Sequence, residues 1–230
     1  MTGTLTAGFA EPVMDAQRSF RAVLDAMARP GTIRRVGGVV PPAPLDAATA
    51  AVLLTLADNE TPIWLDQAAA RCRDWLAFHC AAVFTEPGAA TFAVALSGAA
   101  LSGAALAESA LSGSALSGSA LAGSALAGSA LAGFGRPIPD LALFNSGTHE
   151  APETAATLIL QIAALGSGDP WRLRGPGIRG FEILRSVGLP GDFPAIWQRN
   201  RTLFPRGIDM ILCAGDTLAC LPRGILVEGA

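Results

Sequence analysis

From Leu96 to Leu131 a leucine returns at every fifth position, through Leu101, Leu106, Leu111, Leu116, Leu121 and Leu126. Only Ala, Ser, Gly and the single Glu108 lie between these leucines. A spacing of five matches neither the helical nor the strand repeat, which are about 3.6 and 2 residues. On a helix the leucines would wind around the axis and leave no stripe to bury. We therefore read residues 96–133 as an insertion, and residues 1–95 and 134–230 as one domain that folds around it.

Three readings of the insertion compete. It resembles the pentapeptide-repeat family, whose chains wind a square β-helix with the central leucine inward. Its eight leucines would make about two coils, few for a solenoid in which each coil buries its core on a neighbour. It also reads as a Gly/Ser/Ala low-complexity segment. As a membrane span it has the length, because Ser109 to Phe134 lacks charge, but Gly and Ser in nearly every repeat make insertion poor. The expectation is a segment peripheral to function, with no membrane association. Met1 to Ala10 has neither a basic nor an apolar region of the kind that opens a signal peptide, so a cytoplasmic location is expected.

Hydrophobic residues make up 51% of the 230, enough for a large core. The net charge of −3 offers no basic footprint for nucleic acid. All 16 basic residues are arginine. Schiff-base chemistry, a P-loop lysine and a lysine general base are thereby excluded. Cys72, Cys80, Cys213 and Cys220 form no C-x-x-C pair, and His79 and His149 lie far apart. That spacing argues against a metal site and for buried, reduced thiols.

Outside the insertion the pattern is α/β. Met14–Ala28 reads as an amphipathic helix with Ala16, Phe20, Val23, Leu24 and Met27 on one face, stopped by Pro30-Gly31. Thr32–Val36 reads as a short strand, Ala47–Leu56 as a helix opened by Asp46, Thr61–Leu65 as a strand and Arg71–His79 as a helix. Thr157–Ile162 suits a buried strand, Trp171–Arg174 a short one, and Phe193–Thr202 a helix. Ile208–Cys213 and Thr217–Leu221 flank Ala214-Gly215-Asp216 as a hairpin. Elements mixed in this way predict a layered α/β domain with a mixed sheet.

Few motifs suggest chemistry. Gly175-Pro176-Gly177-Ile178-Arg179-Gly180 matches the dinucleotide fingerprint in letters. It has no long strand before it and only a weak helix, Phe181–Val187, after it, so it reads as a tight turn. Asn145 to Glu153 is a polar loop holding His149, and could supply a general base. Asp58-Asn59-Glu60 reads as a solvated turn. The arginines group as Arg18, Arg21, Arg29, Arg34 and Arg35, then Arg172, Arg174 and Arg179, then Arg199, Arg201 and Arg206. Any phosphate or phosphonate contact would fall to such guanidinium forks.

Several segments taken together resemble a known family. They include Pro12 to Arg21, Met27-Ala28-Arg29-Pro30-Gly31, Val52 to Leu65 with its Ala57-Asp58-Asn59, and Phe78-His79. Ala156 to Gln161 and Phe204 to Leu212, with Gly207-Ile208-Asp209, complete the set. Their order and spacing are similar to the H subunit of the bacterial carbon–phosphorus lyase system, the PhnH family. The resemblance implies a homodimer with a fold like the PLP-dependent transferases but without that cofactor. It implies work beside other core subunits, in a complex that converts alkylphosphonate and ATP to ribose 1-alkylphosphonate 5-triphosphate with release of adenine. It implies an assembly role, with no catalytic residue, no cofactor and no metal assigned to this chain. Arg18, Arg21, Asn59, His79 and Arg206, polar residues of the matching segments, are the candidate contacts to a phosphonate or nucleotide. The alternative is a self-sufficient small hydrolase or transferase using His149 and its neighbouring carboxylates.

Overall fold

The computed structural model describes residues 6–97 and 138–230. All but the first two residues of the pentapeptide insertion lie outside them. Chain order runs α1 (Pro12–Ala28), β1 (Arg34–Arg35), α2 (Ala47–Leu56), β2 (Ile63–Leu65), α3 (Arg73–Cys80) and β3 (Phe92–Leu96). It continues with β4 (Thr157–Gln161), β5 (Ala164–Arg174), β6 (Glu182–Val187), α4 (Phe193–Arg201), β7 (Asp209–Ala214), β8 (Thr217–Leu221) and β9 (Leu226–Gly229).

Six strands form the central sheet in the order β1-β8-β7-β4-β3-β2. Strands β2, β3, β4 and β7 run parallel, and β8 and β1 add antiparallel edges, so the sheet is mixed. The insertion leaves from the end of β3, and β3 pairs in parallel with β4, Phe92 opposite Thr157 and Leu96 opposite Gln161. The parallel strands read as unbroken apolar runs because both faces are covered. Val94, Ile159, Ile211 and Cys213 point to the layer of α1, α2 and α3. Ala93, Leu158, Leu160 and Leu212 point to the opposite layer, which holds Trp171, Leu173, Phe193 and Trp197. That layer is a small antiparallel sheet, β6-β5-β9, together with α4. Trp197 Nε1 donates to the Ile225 carbonyl at 2.8 Å and fastens α4 beside β9.

Three expectations need correction. The buried side of α1 is Asp15, Ser19, Val23 and Ala26, while Phe20 and Leu24 are 50% and 57% exposed. Small side chains let the helix approach α2 and β8 closely, and that places the larger apolar ones on the outer side. The stretch Phe181–Val187 holds a strand, β6, not a helix. Its Leu184 and Ser186 turn inward and Trp171 Nε1 donates to Ser186 Oγ at 2.8 Å, so cross-strand pairing outweighs local helix preference. Strand β5 begins at Ala164, well before Trp171, and passes Gly166, Gly168 and Pro170 with a register shift between Leu165 and Asp169. These turn-forming residues mark a bulge within a strand.

Other readings agree with the structure. Helix α2 spans Ala47–Leu56, and β7 and β8 form the hairpin, with Gly215 at φ 56° in its turn. The Gly175–Gly180 segment links β5 to β6 as a turn. Gly177 there has φ 82°, and a Cβ on it would lie 2.3 Å from the Ala28 carbonyl oxygen. All four cysteines are free and buried.

Candidate functional site

At the carboxyl ends of the parallel strands, where open α/β sheets commonly take ligands, Gln161, Asp66 and Asp46 bond within the chain, while the buried Ser97 hydroxyl after β3 has no partner among the described residues. Gln161, closing β4, accepts at Oε1 from the Asp46 N–H at 2.8 Å and the Thr49 hydroxyl at 2.9 Å, and its Nε2 donates to the Pro44 carbonyl at 2.9 Å. Asp66, just past β2, accepts at its two oxygens from the Ala69 and Leu96 N–H groups, each at 2.7 Å. Burial pushes the Asp66 carboxyl up, while those N–H groups pull it down. Burial likewise raises Asp46, against the N–H of Gly215. The Asp46 carboxylate caps the hairpin turn and not its own helix, accepting from Gly215 at 2.8 Å.

A larger opening forms alongside α4. A cleft of about 680 Å³ lies between the turn Leu141–Leu143, the approach to α4 and α4 itself. Its apolar wall includes Leu141, Phe144, Ile196 and Leu203, and its polar groups are Asp140, Ser146, Asp192, Arg199 and Asn200. The size falls in the range of small-molecule sites, about 300–1,000 Å³. Asn200 is not free to greet a ligand. Its Oδ1 accepts from the Ile208 N–H and its Nδ2 donates to the Ile208 carbonyl, both at 2.9 Å. It thereby holds the 202–207 turn that feeds β7. Trp64 packs edge-on to Phe144 at 5.3 Å behind the apolar wall.

The loop ahead of β4 is fixed by its own polar residues. Asn145 Oδ1 accepts from the Gly147 N–H at 2.9 Å, and its Nδ2 donates to the Thr154 carbonyl at 2.9 Å. Thr148 Oγ1 accepts from the Ala151 N–H at 3.0 Å. The Ser146 carbonyl accepts from the Gly207 N–H at 2.8 Å, which joins the loop to the 202–207 turn. Arg223 clamps both segments. Its Nε and Nη2 donate to the Asp209 carboxylate at 3.1 and 2.5 Å, and its Nη1 donates to the Pro152 carbonyl at 2.6 Å. His149 and Glu150 stand exposed on this loop.

The five candidate contacts do not meet in one hollow. Arg18 lines a small hollow of about 240 Å³ with Ser19, Arg35 and Gly38, and pairs with Glu11 and Asp15, each at 3.2 Å. Arg21 is exposed farther along the same helix. Asn59 is exposed in a turn where Asp58 Oδ1 accepts from the Glu60 N–H at 2.9 Å and from Thr61 Oγ1 at 3.0 Å. Those bonds, the Glu60 one first, lower the Asp58 carboxyl. His79 Nε2 lies 3.0 Å from the Thr6 carbonyl and so carries its proton there; Trp75 Nε1 donates to the same oxygen at 2.9 Å. Arg206 is half-buried before β7, and its Nε finds no partner among the described residues. Sequence reasoning passed over Asp140, Asp192 and Arg223, which stand singly in the chain. Asp209 lay within a resembling segment, but nothing there paired it with Arg223. Among the described residues no three His, Cys, Asp or Glu side chains gather as a metal site.

Comparison with known proteins adds what this geometry does not carry. The family described as "Bacterial phosphonate metabolism protein (PhnH)" matches residues 7–112 and 113–228. The subunit PhnH of alpha-D-ribose 1-methylphosphonate 5-triphosphate synthase from Rhizobium meliloti (strain 1021) is 36% identical over 227 residues. That match covers 97% of this chain and 95% of the relative. A putative C-P lyase subunit protein, HtxG, of Stutzerimonas stutzeri is 36% identical over 80 residues, 34% of this chain and 40% of the relative.

Proposed function

This chain belongs to the PhnH family of bacterial phosphonate metabolism proteins, and on that premise we propose that it is an assembly subunit of a cytoplasmic phosphonate-activating complex. The complex converts alkylphosphonate and ATP to ribose 1-alkylphosphonate 5-triphosphate with release of adenine, the class of product for which the Rhizobium meliloti relative is named. The observation that carries this reading is identity of 36% sustained over 97% of the chain. An assembly role is supported by where the polar groups go. Asn145, Thr148, Gln161, Asn200 and Arg223 hold loops and strand ends together and offer no nucleophile–base pair. Among the described residues no helix is long and apolar enough to cross a membrane.

The family's likeness to the PLP-dependent transferase fold belongs to the same proposal. The chain does not fit that cofactor, because with no lysine it has no amine to form the Schiff base. The homodimer is proposed with it, and exposed Val13, Phe20 and Leu24 on the outer side of α1 offer an uncharged strip that one copy could lay against another. For an anionic phosphonate or nucleotide, Arg18 and Arg35 both line the small hollow, where Arg18 also meets Glu11 and Asp15 and Arg35 meets Asp216. Residues 96–133 are proposed to stay peripheral to both roles.

The test is co-expression with the other core subunits from the same source, followed by mass measurement on a sizing column. A stoichiometric hetero-oligomer whose synthase activity is lost without this chain is the expected result. Turnover of methylphosphonate and ATP by the chain alone would overturn the assembly reading. Failure to join any of the subunits would overturn membership of the complex.

A further inference from the structure

The outer face of the small sheet mixes arginines with exposed apolar side chains. Along β5 and β6, Trp171, Leu173, Leu184 and Ser186 point inward and are buried. The residues between them point out, and the pairing places Arg172 between Ile183 on β6 and Glu228 on β9. Arg185 stands opposite Pro170, and Arg174 follows Arg172 on the same side. Ile183 and Val187 are each 39% exposed, and Phe181, just before β6, is 52% exposed. The Arg172 guanidinium lies 5.1 Å from the Phe181 ring centroid, and its Nε is buried without a partner among the described residues. Arg185 is braced by a 3.1 Å bond to the Gly168 carbonyl at the β5 bulge. Three arginines therefore stand against one carboxylate, Glu228, which reaches Arg174 at 4.0 Å.

This mixture matches the composition of buried interface centres, which are rich in arginine and aromatic residues. Exposed apolar side chains among the guanidiniums favour a protein over a free anion. A second copy of this chain is disfavoured, because a symmetric contact would set the arginines of one copy against those of the other. We infer that the outer face of β5, β6 and β9, centred on Arg172, Ile183 and Arg185, docks another subunit of the complex through a surface that presents carboxylates around apolar side chains. The inference rests on the assembly reading above and gives that reading a location.

The experiment compares the wild-type chain with the double variant Arg174→Glu, Arg185→Glu, and separately with Ile183→Ser, each co-expressed with the core subunits. Both charge changes lie on exposed positions, and thermal melting of each purified variant reports whether the chain still folds. The expected result is a folded double variant that binds the partner subunits at least about tenfold more weakly, since like charges are then placed against carboxylates. Wild-type binding that weakens as salt rises is expected with it. Unchanged binding by both variants, with wild type bound, overturns this docking face alone. Loss of self-association in place of partner binding assigns the face to a second copy and also overturns it. A wild-type chain that joins no subunit overturns the assembly reading itself.

Discussion

Alkaline instability should be traceable to cysteine alone. The chain has no lysine and no tyrosine, and arginine stays charged to about pH 12. The side chains left to titrate between about pH 8.5 and 11 are the four thiols. Burial pushes Cys80 up to about 11 and Cys213 to about 12 from an ordinary value of 9.0, and moves Cys220 well up as well. The neutral thiol is the form the fold accepts. Below pH 9 folded and unfolded chains both hold the proton, so the cysteines take nothing from stability. Above it the unfolded chain loses protons that the folded chain keeps, and stability falls with pH. Each such thiol costs about 1.4 kcal/mol per pH unit until its folded value is reached. Cys80 and Cys213 together should remove about 3 kcal/mol by about pH 10, a large share of an ordinary domain's 5–15 kcal/mol, and the raised Cys72 and Cys220 add to the loss in the same direction. Urea unfolding followed by tryptophan fluorescence at several pH values, in reductant, measures the slope. Cys213→Ala should lower stability at neutral pH yet recover about 1.4 kcal/mol of the loss between about pH 8.5 and 10. A wild-type stability that stays level over that range, or a Cys213→Ala slope equal to wild type, would refute the reasoning.

Arg223→Ala should destabilise by about 2–4 kcal/mol, because it leaves the largely buried Asp209 carboxylate and the Pro152 carbonyl without their donor; a urea melt reads this, and the double variant with Asp209→Asn should cost less than the two singles added. Gly177→Ala should cost about 2–4 kcal/mol because its Cβ meets the Ala28 carbonyl oxygen at 2.3 Å, whereas Gly180→Ala, with φ 83° and nothing within 4 Å, should cost about 1 kcal/mol. Equal melting temperatures for these two variants would count against the turn geometry. His79→Ala should cost about 1 kcal/mol and speed hydrogen exchange over residues 6–10, which it holds through Thr6; unchanged exchange there would show that the Trp75 bond alone suffices.

Much of the fold was legible because its signals are local. Helix α2 and the β7–β8 hairpin were read with their ends nearly in place, since an apolar run between clear stops and a Gly-Asp turn carry their own instructions. Strands β5, β6 and β9 were mostly missed. Gly166, Gly168 and Pro170 look like a loop until Trp171 and Ser186 pair across strands, and Leu226–Gly229 has too few residues to show alternation. The candidate site was less legible still. Asp209 and Arg223 lie apart in the chain, and the register of the β7–β8 hairpin, with Met210 opposite Leu221, brings them together. His79 was a candidate contact as a polar residue of a resembling segment, and nothing local reveals that the Thr6 carbonyl will sit on it.

The sequence by itself determined the chemistry the chain can lack or possess. With no lysine among its 230 residues, it excludes lysine chemistry in any conformation. It also carries the family, because runs such as Ala57-Asp58-Asn59 and Gly207-Ile208-Asp209 stay recognisable without coordinates. The tertiary structure decided which face each residue shows. Helix α1 turned its small side chains inward and left Phe20 and Leu24 outside, and β6 set Ile183 beside Arg172 on an open sheet face. Periodicity reports that an element has an apolar side. Which of its residues are buried depends on the neighbour that covers them, and that neighbour is brought there by contacts distant in sequence.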